Sequence, residues 1–197
     1  MRRVIVSMFV SLDGVMEDPG GAEKFKHGGW TMAYWGDDIG KFKFDELFAS
    51  DTLLLGRLTY QGFAAAWPSR TDDAGFADRM NKLPKVVVST TLKEVGWQNS
   101  RLVKGNVAGE VSKLKQQSGQ DILIAGSGML VHTLMQDDLI DEYRLLAYPV
   151  ILGSGKRLFQ DVTKTPLKLM ETKTFSSGVV LLRYQPDRKS TSSTPRR

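Results

Sequence analysis

Short apolar runs alternate with amphipathic stretches along most of this chain. Residues 4–11 are apolar without helical spacing, which predicts a buried first strand closed by Asp13-Gly14. Phe44, Leu47 and Phe48 recur at helical spacing, so a helix is predicted over 38–49. Residues 52–55 then read as a strand, 59–66 as a helix stopping before Pro68, and 85–89 as a strand behind Pro84. Val107, Val111 and Leu114 mark another helix, ending near Gly119; 122–125 is the next strand, and Leu130, Val131, Leu134 and Met135 define the helix after it. Residues 142–149 give a strand, and 167–175 with 179–184 flank Ser176-Ser177-Gly178 as a hairpin. Residues 17–36 are rich in glycine and aromatics and read as a long functional loop. Helices alternate with strands and then strands pair directly. That is one α/β domain with a mainly parallel sheet and an antiparallel edge.

Composition narrows the class. The chain has 197 residues, 41% hydrophobic and 25% charged, as in an ordinary globular domain. No apolar run approaches the ~20 residues that cross a bilayer. The basic start has no small-residue cleavage site, so a cytoplasmic protein is expected. With no cysteine there are no disulfides, thiolate zinc sites or cysteine nucleophile, and two histidines, His27 and His132, make a histidine metal centre a poor reading. The net charge of +5 gathers in the tail, where residues 186–197 hold Arg188, Lys189, Arg196 and Arg197 against Asp187. That tail is expected to be disordered and the domain to span 1–185. The near-neutral body, without aromatic–basic interleaving, argues against nucleic acid.

Two strand-to-helix junctions carry the chemistry. The first places Gly56-Arg57-Leu58-Thr59 after an apolar strand; the second, about 70 residues on, places Gly126-Ser127-Gly128 before Met129. Glycine lets backbone approach a ligand closely, and the free N–H groups of the next helical turn point at it. Two such sites suggest a ligand with several phosphates, a dinucleotide cofactor first of all. Arg57 adds a cation able to hold a phosphate monoester, which favours NADPH over NADH. The second junction lacks a third glycine at Val131, so it is not a Rossmann fingerprint. Taken alone, each junction also reads as a tight turn or a capped helix. Ser89 and Thr90, directly after a strand, fit either phosphate contacts or turn chemistry. Asp13 fits substrate orientation or a turn. Asp37 and Asp38 open the first helix, where the dipole favours carboxylates whatever the function.

Together these residues resemble the dihydrofolate reductase superfold, and particularly the reductase domain of riboflavin biosynthesis. Ser11-Leu12-Asp13-Gly14 resembles that reductase's Ser-Leu-Asp-Gly, and Gly56-Arg57-Leu58-Thr59-Tyr60 is similar to the Gly-Arg-x-Thr-Trp/Tyr of dihydrofolate reductases. Gly126-Ser127-Gly128 matches their second glycine cluster. Leu139-Ile140-Asp141-Glu142 and Tyr148-Pro149-Val150-Ile151-Leu152-Gly153 resemble the reductase's Val-Asp-Glu-Leu and Ala-Pro-x-Leu-Leu-Gly stretches. The resemblance implies a three-layer dihydrofolate reductase-like fold, a homodimer, and NADPH as cofactor. It implies Gly56, Arg57 and Thr59 on phosphates, Ser89 and Thr90 near the 2′-phosphate, and Gly126, Ser127, Gly128 and Met129 on the pyrophosphate. Hydride would pass to a small heterocyclic or ribosyl substrate near Asp13, Trp30 and Pro149, with Asp13 and Asp38 as catalytic candidates. Three positions depart from the pattern. Met8 replaces an expected basic residue, Leu47-Phe48-Ala49 replaces Leu-Arg-Ala, and Gly40 falls where dihydrofolate reductases carry a catalytic carboxylate. The alternatives are a nucleotide-binding or regulatory domain that kept the fold without the chemistry, and a dihydrofolate reductase.

Overall fold

In the computed structural model, which describes residues 1–188, strands and helices alternate along one eight-stranded sheet. The strands are β1 (Val4–Ser11), β2 (Ser50–Gly56), β3 (Lys85–Val88), β4 (Ser100–Val103), β5 (Asp121–Ala125), β6 (Glu142–Tyr148), β7 (Leu167–Thr174) and β8 (Val180–Pro186). Their order is β4-β3-β2-β5-β1-β6-β8-β7. The first six run parallel, and β8 and β7 pair antiparallel at one edge. The helices are α1 (Asp37–Phe48), α2 (Arg57–Ala66), α3 (Phe76–Lys82), α4 (Val107–Gln116) and α5 (Gly128–Gln136). None is long and apolar enough to cross a membrane.

The continuous apolar runs of β1, β2 and β5 follow from burial on both faces. In β1, Val4, Val6, Met8 and Val10 join the cluster under α4 and α5, while Ile5 and Phe9 pack on the α1 side. Helices therefore cover both faces of the sheet, giving three layers. Residues 17–36 form a loop that holds only a single 3-10 turn, Met32–Tyr34.

Two elements, α3 and β4, go beyond the sequence expectation. The seven residues of α3 are too few to show a period, and its start is fixed by Asp72, which accepts from the N–H groups of Phe76 and Ala77. Strand β4 (Ser-Arg-Leu-Val) is a sheet edge with mixed burial, so it has no apolar run to read. At the other end, β8 continues through Pro186, and Arg188 donates to Asp138 at 2.9 Å. The packed chain therefore passes the expected boundary at 185, and the rest of the basic tail lies outside the described residues.

On the α1 side, a polar cluster interrupts the core. Glu46 on α1 and Glu142 on β6 are both buried. Arg144 bridges them, donating to Glu46 at 3.2 Å and to Glu142 at 2.7 Å. Arg183 of β8 also donates to Glu142 at 3.2 Å. Arg144 and Arg183 stand opposite each other across the β6–β8 ladder, so Glu142 offsets a like-charge pair. Removing Arg144 takes charged hydrogen bonds from two buried carboxylates that keep Lys43 and Arg183 as partners. Arg144→Met is therefore expected to cost about 2 kcal/mol in urea unfolding, with an unchanged slope against urea.

Candidate functional site

The two glycine junctions meet because β2 and β5 are neighbours, and α2 and α5 start at their carboxyl ends. Ser127 joins them. Its Oγ accepts from the Gly56 N–H at 2.8 Å and lies 2.7 Å from the Thr59 hydroxyl. A side chain on Gly56 would stand 2.7 Å from Ser127 Oγ, and one on Gly126 would stand 2.9 Å from Thr59 Oγ1. Each glycine is thus required by the hydroxyl of the opposite junction. Gly126 and Ser127 have φ of +83° and +69°, a conformation that a serine holds only where its surroundings fix it.

Helix starts differ in a telling way. In α3 and α4 a side chain accepts a first-turn N–H: Asp72 binds Phe76 and Ala77, and Asn106 binds Gly109 at 3.1 Å. Among the described residues, neither α2 nor α5 has a side-chain cap. Their open N–H groups and positive dipole ends lie side by side, an arrangement suited to anions. Arg57 is exposed there and, among the described residues, has only Gln61 as side-chain partner, at 3.2 Å. Of the two hydroxyl protons on Ser127 and Thr59, one serves their mutual bond, leaving one for a ligand.

The remaining sequence candidates divide between the same edge and its flanks. Gly56 pairs with Val88, so Ser89 and Thr90 leave β3 beside the first junction. Ser89 is buried as a turn cap, its Oγ accepting from Thr91 and Leu92, whereas Thr90 is exposed. Gly128 packs against Met16, and Met129 is exposed.

Asp13 ties two loops together. Its carboxylate accepts from Ser11 at 2.7 Å, Leu152 N–H at 3.1 Å and Gly153 N–H at 2.9 Å. These bonds, that from Ser11 first, draw its pKa from 3.8 down to about 2. Asp38 likewise accepts from the Ser176 N–H at 2.7 Å, which lowers its pKa, and fastens α1 to the β7–β8 turn. Asp37 is exposed. Asp13 and Asp38 are therefore ionised loop ties with no proton to give near neutral pH. Trp30 is buried, its indole donating to Glu17 O at 2.8 Å and its ring 5.3 Å from that of Tyr148. Pro149 is exposed, and its carbonyl lies 3.3 Å from the Tyr34 hydroxyl. His132 binds Leu158 O at 2.5 Å on the flank of these loops.

Three side chains were missed in the sequence. Ser7 is in register with Ala125, the last residue of β5, so it sits one strand from the second junction. Lys43 of α1 donates to Ser7 Oγ at 2.8 Å, pairs with Glu46, and lies 5.5 Å from the Phe9 ring centre. With two of its three N–H groups used, one remains. Tyr148 is fully buried, its hydroxyl has no partner among the described residues, and burial raises its pKa far above the usual tyrosine value. Only pairing across the sheet brings these groups to the junctions, so spacing held no signal for them. Leu12, Leu58, Met129 and Ile151, all exposed, follow the carboxyl ends of β1, β2, β5 and β6 and give this edge an apolar rim.

The chain belongs to the RibD C-terminal domain family, which residues 2–181 match. It is 36% identical over 188 residues to the uncharacterized protein YyaP of Bacillus subtilis (strain 168), spanning 93% of this chain and 94% of that protein. The crystal structure of a putative riboflavin biosynthesis protein from Shewanella sp. PV-4 matches with a TM-score of 0.74 at 24% identity, over 94% of this chain and 99% of that one. Dihydrofolate reductase from Enterococcus faecalis, complexed with NADP(H) and RAB-propyl, matches with a TM-score of 0.60 at 13% identity, over 94% and 96%. The dihydrofolate reductase-like fold expected from the sequence is thus the fold observed.

Two substitutions test the geometry. Ser127→Ala strands the Gly56 N–H and is expected to cost about 1–3 kcal/mol, read from chemical denaturation. The lowered Asp13 pKa sets the second. Its contribution to stability is complete above pH 4 and fades as pH falls from about 4 towards 2. Asp13→Asn should flatten that part of the acid-unfolding curve. An unchanged acid limb would show that the carboxylate ties nothing.

Proposed function

We propose that this protein is an NADPH-dependent reductase that passes hydride to a small heterocyclic or ribosyl acceptor, in the manner of the riboflavin-biosynthesis reductases it resembles. The observation that carries this reading is the Ser127 bridge, which sets two uncapped helix starts side by side beside an exposed arginine. The relative complexed with NADP(H) adds support. In this reading the N–H groups from Gly126 to Met129 hold the pyrophosphate, and Arg57, Thr59 and the Thr90 hydroxyl address the remaining phosphates. Ser89 acts as the turn cap that presents Thr90.

The cofactor, when bound, supplies the hydride. The chain supplies position. Asp13 fixes the two loops that border the acceptor, and Trp30 and Tyr148 form the aromatic floor below Pro149. Lys43 offers its free N–H to a carbonyl or ring nitrogen of the acceptor. Aligning acceptor and cofactor is the main demand of hydride transfer, and a positioned donor then stabilises the charge that develops. The protein acts in the cytoplasm as a homodimer, on a small molecule and without nucleic acid. The loop-tying roles of Asp13 and Asp38 favour a second reading, a nucleotide-binding domain that kept the fold and lost the chemistry.

Titration with NADPH and NADH tests the cofactor. Arg57→Ala should weaken NADPH by about 1.5 kcal/mol, the low end for a charged partner because the site is exposed, and NADH much less. Equal losses would remove Arg57 from the 2′-phosphate. Cofactor oxidation against pterins, folates, flavin precursors and quinones separates the two readings. Lys43→Met should then cut turnover about tenfold or more with cofactor affinity unchanged.

A further inference from the structure

The opposite edge of the sheet holds a cavity of about 980 Å3, where β2, β3 and β4 begin. Six cationic side chains line it, Arg2, Arg79, Lys82, Lys85, Arg101 and Lys113, against the carboxylates Asp51 and Glu110. Because the strands are parallel, the glycine junctions lie at the far end of β2.

Most of these cations have acidic partners. Arg2 pairs with Asp51, Lys82 with Asp78 at 2.6 Å, and Arg101 and Lys113 share Glu110 at 3.2 Å each. Among the described residues Lys85 and Arg79 have no carboxylate. Lys85 is fully buried and its ammonium donates to three carbonyls, of Asn81, Leu83 and Gln98, at 2.7, 2.8 and 3.2 Å. Arg79 donates one N–H to Ser50 O at 2.5 Å, and its Nε is buried with no acceptor. Ser100 Oγ, on the same wall, is also buried without a partner among the described residues.

Helix C-termini attract cations, which accounts for Lys82 and Lys113 in the last turns of α3 and α4. Arg79 also lies in the last turn of α3, but its guanidinium reaches the β2 backbone and, among the described residues, its Nε–H has no acceptor. A buried donor of that kind costs free energy until an acceptor meets it, and a guanidinium fork fits phosphate oxygens. The volume is at the upper end for small-molecule pockets, about 300–1,000 Å3, so there is room for more than a bare ion.

We propose that this cavity is a second ligand site, separate from the glycine-junction groove, that binds a phosphate-bearing small molecule. Arg79 and Ser100 are its inner donors, and Lys82, Arg101 and Lys113 form its rim.

Inorganic pyrophosphate is the probe, followed by calorimetry and by its effect on the melting temperature. Two binding components are expected, one at the glycine junctions and one in this cavity, and Arg57→Ala should weaken only the first. Arg79→Gln, and separately the rim variant Arg101→Gln/Lys113→Gln, should weaken the second about tenfold or more. The rim side chains are exposed, so that variant keeps its fold even if Arg79→Gln does not. No binding at millimolar pyrophosphate overturns the proposal. So does loss in Arg57→Ala with both cavity variants unaffected, which would locate the anion at the glycine junctions. An equal loss in Lys41→Gln/Lys168→Gln, charges outside the cavity, also overturns it as nonspecific attraction.

Discussion

One hydroxyl holds the candidate site together. Ser127 Oγ accepts the Gly56 N–H and meets the Thr59 hydroxyl, so the start of α2 and the start of α5 are fixed to each other and not only to their own strands. Everything else at that edge depends on this contact. It explains why Gly56 and Gly126 lack side chains, since each would collide with the opposite hydroxyl. It also stabilises the left-handed backbone of Ser127, which turns α5 out of the sheet with its first N–H groups open. Two helix starts without side-chain caps, joined by one hydroxyl, are the result.

Parallel strands give the sheet two chemically different ends. At the carboxyl end α2 and α5 present N–H groups and partial positive charge. At the amino end the last turns of α3 and α4 present carbonyls, and arginine and lysine side chains gather around them. Both ends suit anions, for opposite reasons: backbone donors at one, side-chain cations at the other. The buried cluster of Glu46, Glu142 and Arg144 lies between α1 and the centre of the sheet and fixes the register of Lys43 against Ser7.

Much of the fold was legible because burial on two faces leaves continuous apolar runs in β1, β2 and β5, and helices leave their own spacing. The misses have physical causes. Edge strand β4 buries little and α3 is shorter than two turns, so neither leaves a pattern. The junctions were legible as motifs, since glycine and hydroxyl residues cluster at them in sequence. The roles of single residues were less so. Ser89 and Asp13 each allowed a ligand or a turn reading, and only the fold supplies their hydrogen bonds to Leu92, Leu152 and Gly153.

The sequence by itself determined the class of architecture, the two strand–glycine–helix junctions and the resemblance to the riboflavin-biosynthesis reductases. These rest on local chemistry, where neighbouring residues set backbone conformation and burial sets the apolar period. Only the tertiary structure decided that β2 and β5 are adjacent, that one serine bonds both junctions, and that Ser7 and Lys43 stand beside them. It also decided that Arg79 and Lys85, which have no acidic partner among the described residues, share a cavity at the opposite edge. Such pairings join residues dozens of positions apart through sheet order, which no local pattern records.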